Sequence, residues 1–243
     1  IVTTIVEHPG VLAYSKELSR RGFEIEYIPV DERGRLDLAY AERAIDEATA
    51  VVSVMWANNE TGTIFPVETV AGMAHAKGAL FHSDAVQAAG KVPIRLDSSE
   101  IDFLTISGHK LHAPKGVGAL FVRRGTRFKP LIFGGHQEKG RRGGTENVAS
   151  IIGLGKACEL AARNLAVESV QLTRLRDRLE AGIRERISHI RINGDLANRL
   201  PNTSSVSFEH IEGESILMLL DMLNICASSG SACTTGSLEP SHV

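Results

Sequence analysis

Nothing in this sequence runs apolar for the roughly 18–20 residues that a spanning helix needs. No basic stretch followed by an apolar one marks a secretion signal. No charge of one sign dominates: the formal net charge is −2 and the pI is near 6.5, which argues against a nucleic-acid or anionic-membrane surface as main partner. Cysteine is scarce and odd in number, at Cys158, Cys226 and Cys233, so no disulfide framework is indicated and a reducing cytoplasm is the expected setting. Internal repeats and low-complexity tracts are absent too. A first methionine is also missing; the chain runs from Ile1 to Val243 in a polar stretch, and we expect a piece of a longer protein.

What is present is an ordinary globular composition, 43% hydrophobic and 23% charged over 243 residues. The first half alternates strand-like and helix-like segments. "IVTTIVE", "FEIEYIPV", "AVVSVMW", "ALFHSDA", "DFLTIS" and "VGALFVRR" read as strands. Between them, Pro9 and Gly22 bracket one helix, "LDLAYAERAIDEA" forms another, and Val67, Val70, Ala71 and Ala74 share one face of a third. Strand–helix–strand units of this kind give an α/β domain with a largely parallel sheet.

Composition shifts at the glycine-rich, charged "GGHQEKGRRGGTEN". Two helices are expected beyond it, the second with Leu172, Leu175, Leu179 and Ile183 in one stripe, then the strand "TSSVSFEH" and the helix "GESILMLLDML". A boundary near residue 155 divides a large α/β domain, residues 1–155, from part of a smaller α+β domain, residues 156–243.

Polar groups gather where the strands end. Lys110 follows "DFLTIS" through Ser107, Gly108 and His109, at the carboxyl edge where open α/β sheets place ligands. An amine there can join a carbonyl cofactor, and the hydroxyl and imidazole can hold a phosphate; a solvated lysine is the plainer alternative. Asp84 ends another apolar strand, three residues before Gln87. It reads either as partner to a protonated ring nitrogen, as a helix N-cap, or with His82 as half a metal site, for which no third ligand is well spaced. Asn58, Asn59 and Glu60 follow a third strand and His8 a fourth, where an imidazole can stack on a cofactor ring. The "GGHQEKGRRGGT" loop has Arg141 and Arg142 where a P-loop needs Lys and Ser/Thr, so nucleotide binding is rejected there, while Thr145 and the arginines still suit an anion. Cys233 sits among Ser, Gly and Thr in "SSGSACTTGSLEPSHV", an accessible setting for a thiolate; Cys226 and Cys158 read as core thiols. A metal site of Cys226, Cys233 and His242 matches no standard spacing.

Together "VEHPGVL", "NNETG", "HSDAVQ", "SGHKLHAPKGVGAL", "GRRGGTENV" and "SSGSACTTGSLEPSHV" resemble the cysteine desulfurases, pyridoxal-phosphate enzymes with the aspartate aminotransferase fold (fold type I). The resemblance covers essentially the whole chain, and "GRRGGTENVASIIGLGKA" and "NICASSGSAC" are similar to the nitrogen-fixation, NifS-type branch. It implies that Lys110 holds the cofactor, Asp84 pairs with its ring nitrogen, Gln87 bonds its phenolic oxygen, and His8 stacks on the ring as a further catalytic group. Ser107, Gly108 and His109 would bind the phosphate, Thr145 would reach the phosphate of a neighbouring subunit in a homodimer, and Asn59 would contact substrate or cofactor. Lys110 would move the proton at Cα of L-cysteine, and Cys233 would take the sulfur as a persulfide, releasing alanine and passing sulfur to an iron–sulfur scaffold protein, with nitrogenase maturation the expected destination. No intrinsic metal is implied; Cys233 would hold only sulfur or a transient iron–sulfur cluster. Two family elements have no match here, the amino-terminal Gly/Thr phosphate element and the substrate-carboxylate arginine beyond the cysteine loop. Selenocysteine lyase or cysteine-sulfinate chemistry on the same fold, a transaminase-like enzyme and a non-enzymatic iron–sulfur scaffold or carrier are the competing readings.

Overall fold

The computed structural model describes residues 1–230 and 241–243. Its centre is a six-stranded sheet built from β1 (Val2–Thr4), β2 (Glu26–Ile28), β3 (Val51–Ser53), β4 (Leu80–Asp84), β5 (Phe103–Ser107) and β6 (Gly118–Val122), in the order β2-β1-β3-β4-β5-β6. The first five run parallel and β6 returns antiparallel along β5, pairing Phe103 with Val122 and Ser107 with Gly118. Val2, Val52 and Phe81 lie in register across three strands and are at most 1% exposed, as expected where both faces of a parallel sheet are covered.

Helices α1 (Pro9–Arg20), α2 (Leu38–Ala44) and α3 (Val67–Ala76) connect these strands. α1 begins as its sequence dictates: Pro9 occupies the first turn, where no amide hydrogen is needed, and the His8 ring caps Gly10 N at 3.1 Å. α3 turns Val67, Val70, Ala71 and Ala74 onto the sheet, the face its periodicity predicts. α2 is shorter than its pattern suggested. It ends at Ala44 because Ile45 is extended, and Asp46 and Thr49 bond each other and the local backbone instead of continuing the helix.

From β1 the chain moves to β2 on one side, then returns to β3 on the other. Such a reversal leaves a crevice at the carboxyl ends of the two central strands, here between β1 and β3.

Past β6, a four-residue helical turn, α4 (Gln137–Gly140), precedes α5, which runs unbroken from Val148 to Arg186. One 39-residue helix replaces the two expected, and it crosses residue 155 without a break. The Leu172, Leu175, Leu179, Ile183 stripe is also more open than expected, Leu175 being 46% and Leu179 56% exposed. The residues α5 buries are Leu154, Ala157 and Glu180. A hairpin of β7 (Ile190–Ile192) and β8 (Val206–Phe208) follows, then α6 (Gly213–Met222).

Candidate active site

The carboxyl ends of β1, β3, β4 and β5 each release a polar segment, and these meet at a cavity of about 420 Å³. His8, Asn59, Asp84, Gln87, Ser107, His109 and Lys110 all line it. A larger hollow of about 740 Å³ beside β2 and α2 lies away from these strand ends and receives none of their polar groups.

Local bonding fixes each contributor. His8 Nδ1 accepts from Gly10 N, which leaves Nε2 as the ring position that carries the proton in the neutral form. Asn58 organises the "NNETG" loop: its Nδ2 donates to the Val6 carbonyl at 3.1 Å, and its Oδ1 accepts from Glu60 N and Thr61 N, both at 2.9 Å. Asn59 is thereby presented to the cavity, and Asn58 is the structural half of the pair. Asp84 uses Oδ1 to accept from Val86 N at 2.9 Å, so the cap-like contact and a place on the cavity wall coexist.

After β5 the chain tightens into a 3-10 turn, Gly108–Leu111, that carries Lys110. Gly108 is required there by close approach: its amide donates to Val117 O at 2.8 Å, and a β-carbon would stand 2.8 Å from that same oxygen. Gly108 is buried beneath the turn and does not line the cavity. Ser107 Oγ and His109 Nδ1 lie 2.8 Å apart, a hydroxyl and an imidazole side by side beside Lys110. Burial holds His82 below the usual imidazole range; its neutral ring bridges Ser53 Oγ and Thr105 Oγ1, a structural role. Among the described residues, no group of three or more His, Cys, Asp or Glu could hold a metal ion.

A wall not expected from the sequence completes the cavity: Met55, Val86, Asn202, Thr203, Ser228 and Gly230. Asn202 and Thr203 follow a stretch locked beside the "NNETG" loop by Ile64 N to Asn198 O and Leu200 N to Gly62 O, at 2.9 and 2.8 Å. Arg199, in that stretch, makes a two-point ion pair with Glu180 of α5, both contacts at 2.6 Å. Only the polar run "PNTSS" marked this segment, and polar runs usually mean surface loops.

Two expected residues stand elsewhere. Thr145 is exposed and outside this cavity. Cys226 is exposed rather than in the core, because the apolar run before it, with Met218, Met222 and Leu223 at 68%, 78% and 69% exposure, is itself not buried. Cys158 does pack, half-buried, against Leu111, Leu154 and Ala157. Cys233 lies outside the described residues. No helix among the described residues is long and apolar enough to cross a membrane.

A strand-end amine, a carboxylate, an amide and a hydroxyl–imidazole pair stand around one crevice of an α/β sheet, the donor types that a carbonyl-bearing cofactor requires. The chain belongs to the class-V aminotransferase family, whose model matches residues 1–243. It is 63% identical over 244 residues to a cysteine desulfurase of Gluconacetobacter diazotrophicus, covering all of this chain and 61% of that protein. It is 58% identical to the cysteine desulfurase NifS of Azotobacter vinelandii, covering all of this chain and 60% of that protein. A solved NifS-like protein superposes with a TM-score of 0.90 at 43% identity, over 94% of this chain and 62% of that one. The chain therefore spans about three-fifths of the length of the curated relatives it matches. Class-V aminotransferases use pyridoxal 5′-phosphate. The donor set fits that group: an amine for its aldehyde, a carboxylate for its ring nitrogen, and Ser107 with His109 for an anion.

Proposed function

We propose that the protein carrying this chain is a cysteine desulfurase, taking sulfur from L-cysteine and releasing alanine. The observation that carries this reading is the convergence of Lys110, Asp84, Gln87 and His8 on one crevice, in a chain so similar to NifS. Lys110 would anchor the cofactor aldehyde, Asp84 would hold the ring nitrogen protonated, Gln87 would bond the phenolic oxygen, and His8 would stack on the ring. Ser107 and His109, at the end of β5, would hold the phosphate, over a turn kept tight by Gly108. Bound there, pyridoxal phosphate supplies an electron sink for charge developing at the substrate Cα.

The remaining work falls to this chain's own groups. Asn59, which lines the cavity, would contact the substrate or the cofactor oxygen. The Lys110 amine serves as general base at Cα and returns that proton later. The Cys233 thiolate attacks the substrate's sulfur atom; the carbon–sulfur bond breaks with its electron pair left on the substrate carbon, which takes up a proton on the way to alanine, and Cys233 is left as a persulfide. Support for Cys233 comes from its neighbours in the chain: Gly230 lines the cavity and precedes it by three residues, a span of at most about 11 Å when fully extended.

The same reading extends to a homodimer, supported by Leu131 and Phe133 standing 86% and 83% exposed in the segment leading to Thr145. Thr145 would then serve the neighbouring subunit's phosphate. An iron–sulfur scaffold protein is the proposed acceptor, nitrogenase maturation the proposed destination and the cytoplasm the proposed compartment. We keep the division into a large part, residues 1–155, and a smaller one, residues 156–243, with α5 as the shared element.

The test is mass spectrometry of the Cys233 peptide after the whole protein meets pyridoxal phosphate and L-cysteine. A gain of one sulfur atom, matched by alanine and abolished by Lys110→Ala, is expected. Alanine formed with Cys233 unmodified would leave a lyase that does not use this thiol, and neither product would remove the activity altogether.

A further inference from the structure

Glu7 has no part in the mechanism above, yet it bridges the ends of β1 and β3, buried where the strand order reverses. It directly precedes His8 and is 0% exposed. Its Oε1 accepts from Met55 N at 2.7 Å and from Thr4 Oγ1 at 3.2 Å, which ties the end of β1 to the cavity-lining residue after β3. Its Oε2 is buried with no partner among the described residues. Its peptide carbonyl accepts from His242 Nε2 at 3.0 Å. The β4 end is held to the same place, since Trp56 N donates to the Asp84 carbonyl at 2.8 Å.

A buried carboxylate with one oxygen unpaired is far less favourable than the neutral acid, whose lone hydroxyl loses only a hydrogen bond. The groups that face Glu7 do not offset a charge. Asp84, from β4, adds a second negative charge that opposes ionisation, and the two groups bonded to the carboxyl, Thr4 on β1 and Met55 just after β3, are uncharged. His8 on its own turn has Nδ1 committed to Gly10 N, and His242 engages the peptide carbonyl rather than the carboxyl. Lys110 lines the cavity and is not among the partners of the Glu7 carboxyl.

We propose that Glu7 is a positioning residue of the cofactor site, held as a neutral acid beneath the crevice so that Asp84 carries the negative charge that faces the ring. This rests on the cofactor assignment of the preceding subsection. Burial first, and then Asp84, push the Glu7 carboxyl up to about 8, against the opposing hydrogen bonds from Met55 and Thr4.

The experiment uses the whole protein labelled with carboxyl-13C glutamate, titrated first without cofactor. One glutamate carboxyl is expected to titrate near pH 8 and to vanish from the spectrum of Glu7→Gln. A wild-type spectrum with every glutamate titrating in the ordinary range overturns the proposal without any variant. Pyridoxal phosphate affinity is then measured at pH 7 by its visible absorbance. Glu7→Ala is expected to weaken binding about tenfold and Glu7→Gln, which keeps an acceptor for Met55 N without a charge, to recover it to within about threefold. Equal losses in both variants, or no loss in Glu7→Ala, overturn the positioning role. Wild-type protein that binds no pyridoxal phosphate removes the cofactor assignment and the positioning role with it, and a carboxyl still titrating near pH 8 would then mark Glu7 as a buried acid alone.

Discussion

His242 Nε2 donates to the peptide carbonyl of Glu7 at 3.0 Å, joining positions 235 residues apart in sequence. The bond brings the chain just beyond Pro240 to the turn that presents His8, so the stretch holding Cys233 starts and ends beside the cavity: Gly230 lines it and His242 is bonded next to it. Replacing His242 with alanine should leave the cofactor's absorbance in place and slow sulfur transfer to Cys233 about fivefold, the worth of one ordinary hydrogen bond. Rapid-quench mass spectrometry of the Cys233 peptide reads this directly.

Asp84→Asn keeps the contact to Val86 N and removes the charge. A charge-assisted hydrogen bond is worth about 1.5–3 kcal/mol, so alanine formation should fall roughly 10- to 100-fold. Unchanged turnover would show that the ring nitrogen does not depend on this carboxylate.

The Arg199–Glu180 pair is 6% exposed on both sides, and Ser204 Oγ adds a 2.8 Å bond to Glu180. Arg199→Ala strands a buried carboxylate and should lower stability by about 3–5 kcal/mol in urea unfolding. Because Asn202 and Thr203 lie three and four residues beyond Arg199 and line the cavity, substrate KM should rise in the same variant even where the protein remains folded.

Gly62 sits at φ +75° with Thr203 Cβ only 2.8 Å from where its β-carbon would be. Gly62→Ala meets both backbone strain and a clash, and should destabilise by roughly 1–3 kcal/mol. Gly22, at φ +92° with open space around it, should lose only the strain component; thermal unfolding of the two variants compares them.

The raised Glu7 carboxyl has a definite sign in the pH dependence of folding. An acid near 4.5 when unfolded and about 8 when folded favours the native state fully below 4.5, and loses that contribution as pH climbs through 8. Cofactor-free wild type should therefore weaken as pH rises from about 4.5 to 8 relative to Glu7→Gln, and level off above that, as melting temperatures across the range would report.

Much of the site was legible because each strand of a parallel sheet is a short apolar run, and the first polar residues after it mark the ligand edge. Asp84, Lys110, Asn59 and His8 were all readable by that rule. The Asn202–Thr203 wall was not, since nothing local in "PNTSS" reveals an ion pair reaching Arg199 from α5. α5 itself read as two helices because its apolar spacing lapses around "AARNLAVESV", although backbone propensity carries the helix through. Cys226 departs from its pattern for a related reason: the apolar sequence before it suggests burial, but α6 leaves that face open.

α5 touches the site's architecture at two distant points. Leu154 and Ala157 pack on Leu111, in the turn that carries Lys110, while Glu180 clasps Arg199, beside the Asn202–Thr203 wall. From Ala157 to Glu180 is 23 residues, roughly 35 Å at about 1.5 Å per residue. The helix is thus a ruler between two sides of the cavity, with rotational phase as well as length. Inserting or deleting one residue between those points would turn Glu180 about 100° away from Arg199 while the Lys110 turn stayed where it was. Among natural variants of this chain, length changes should be tolerated in the segment before Val148 and after Arg186, and be absent from the stretch between Ala157 and Glu180.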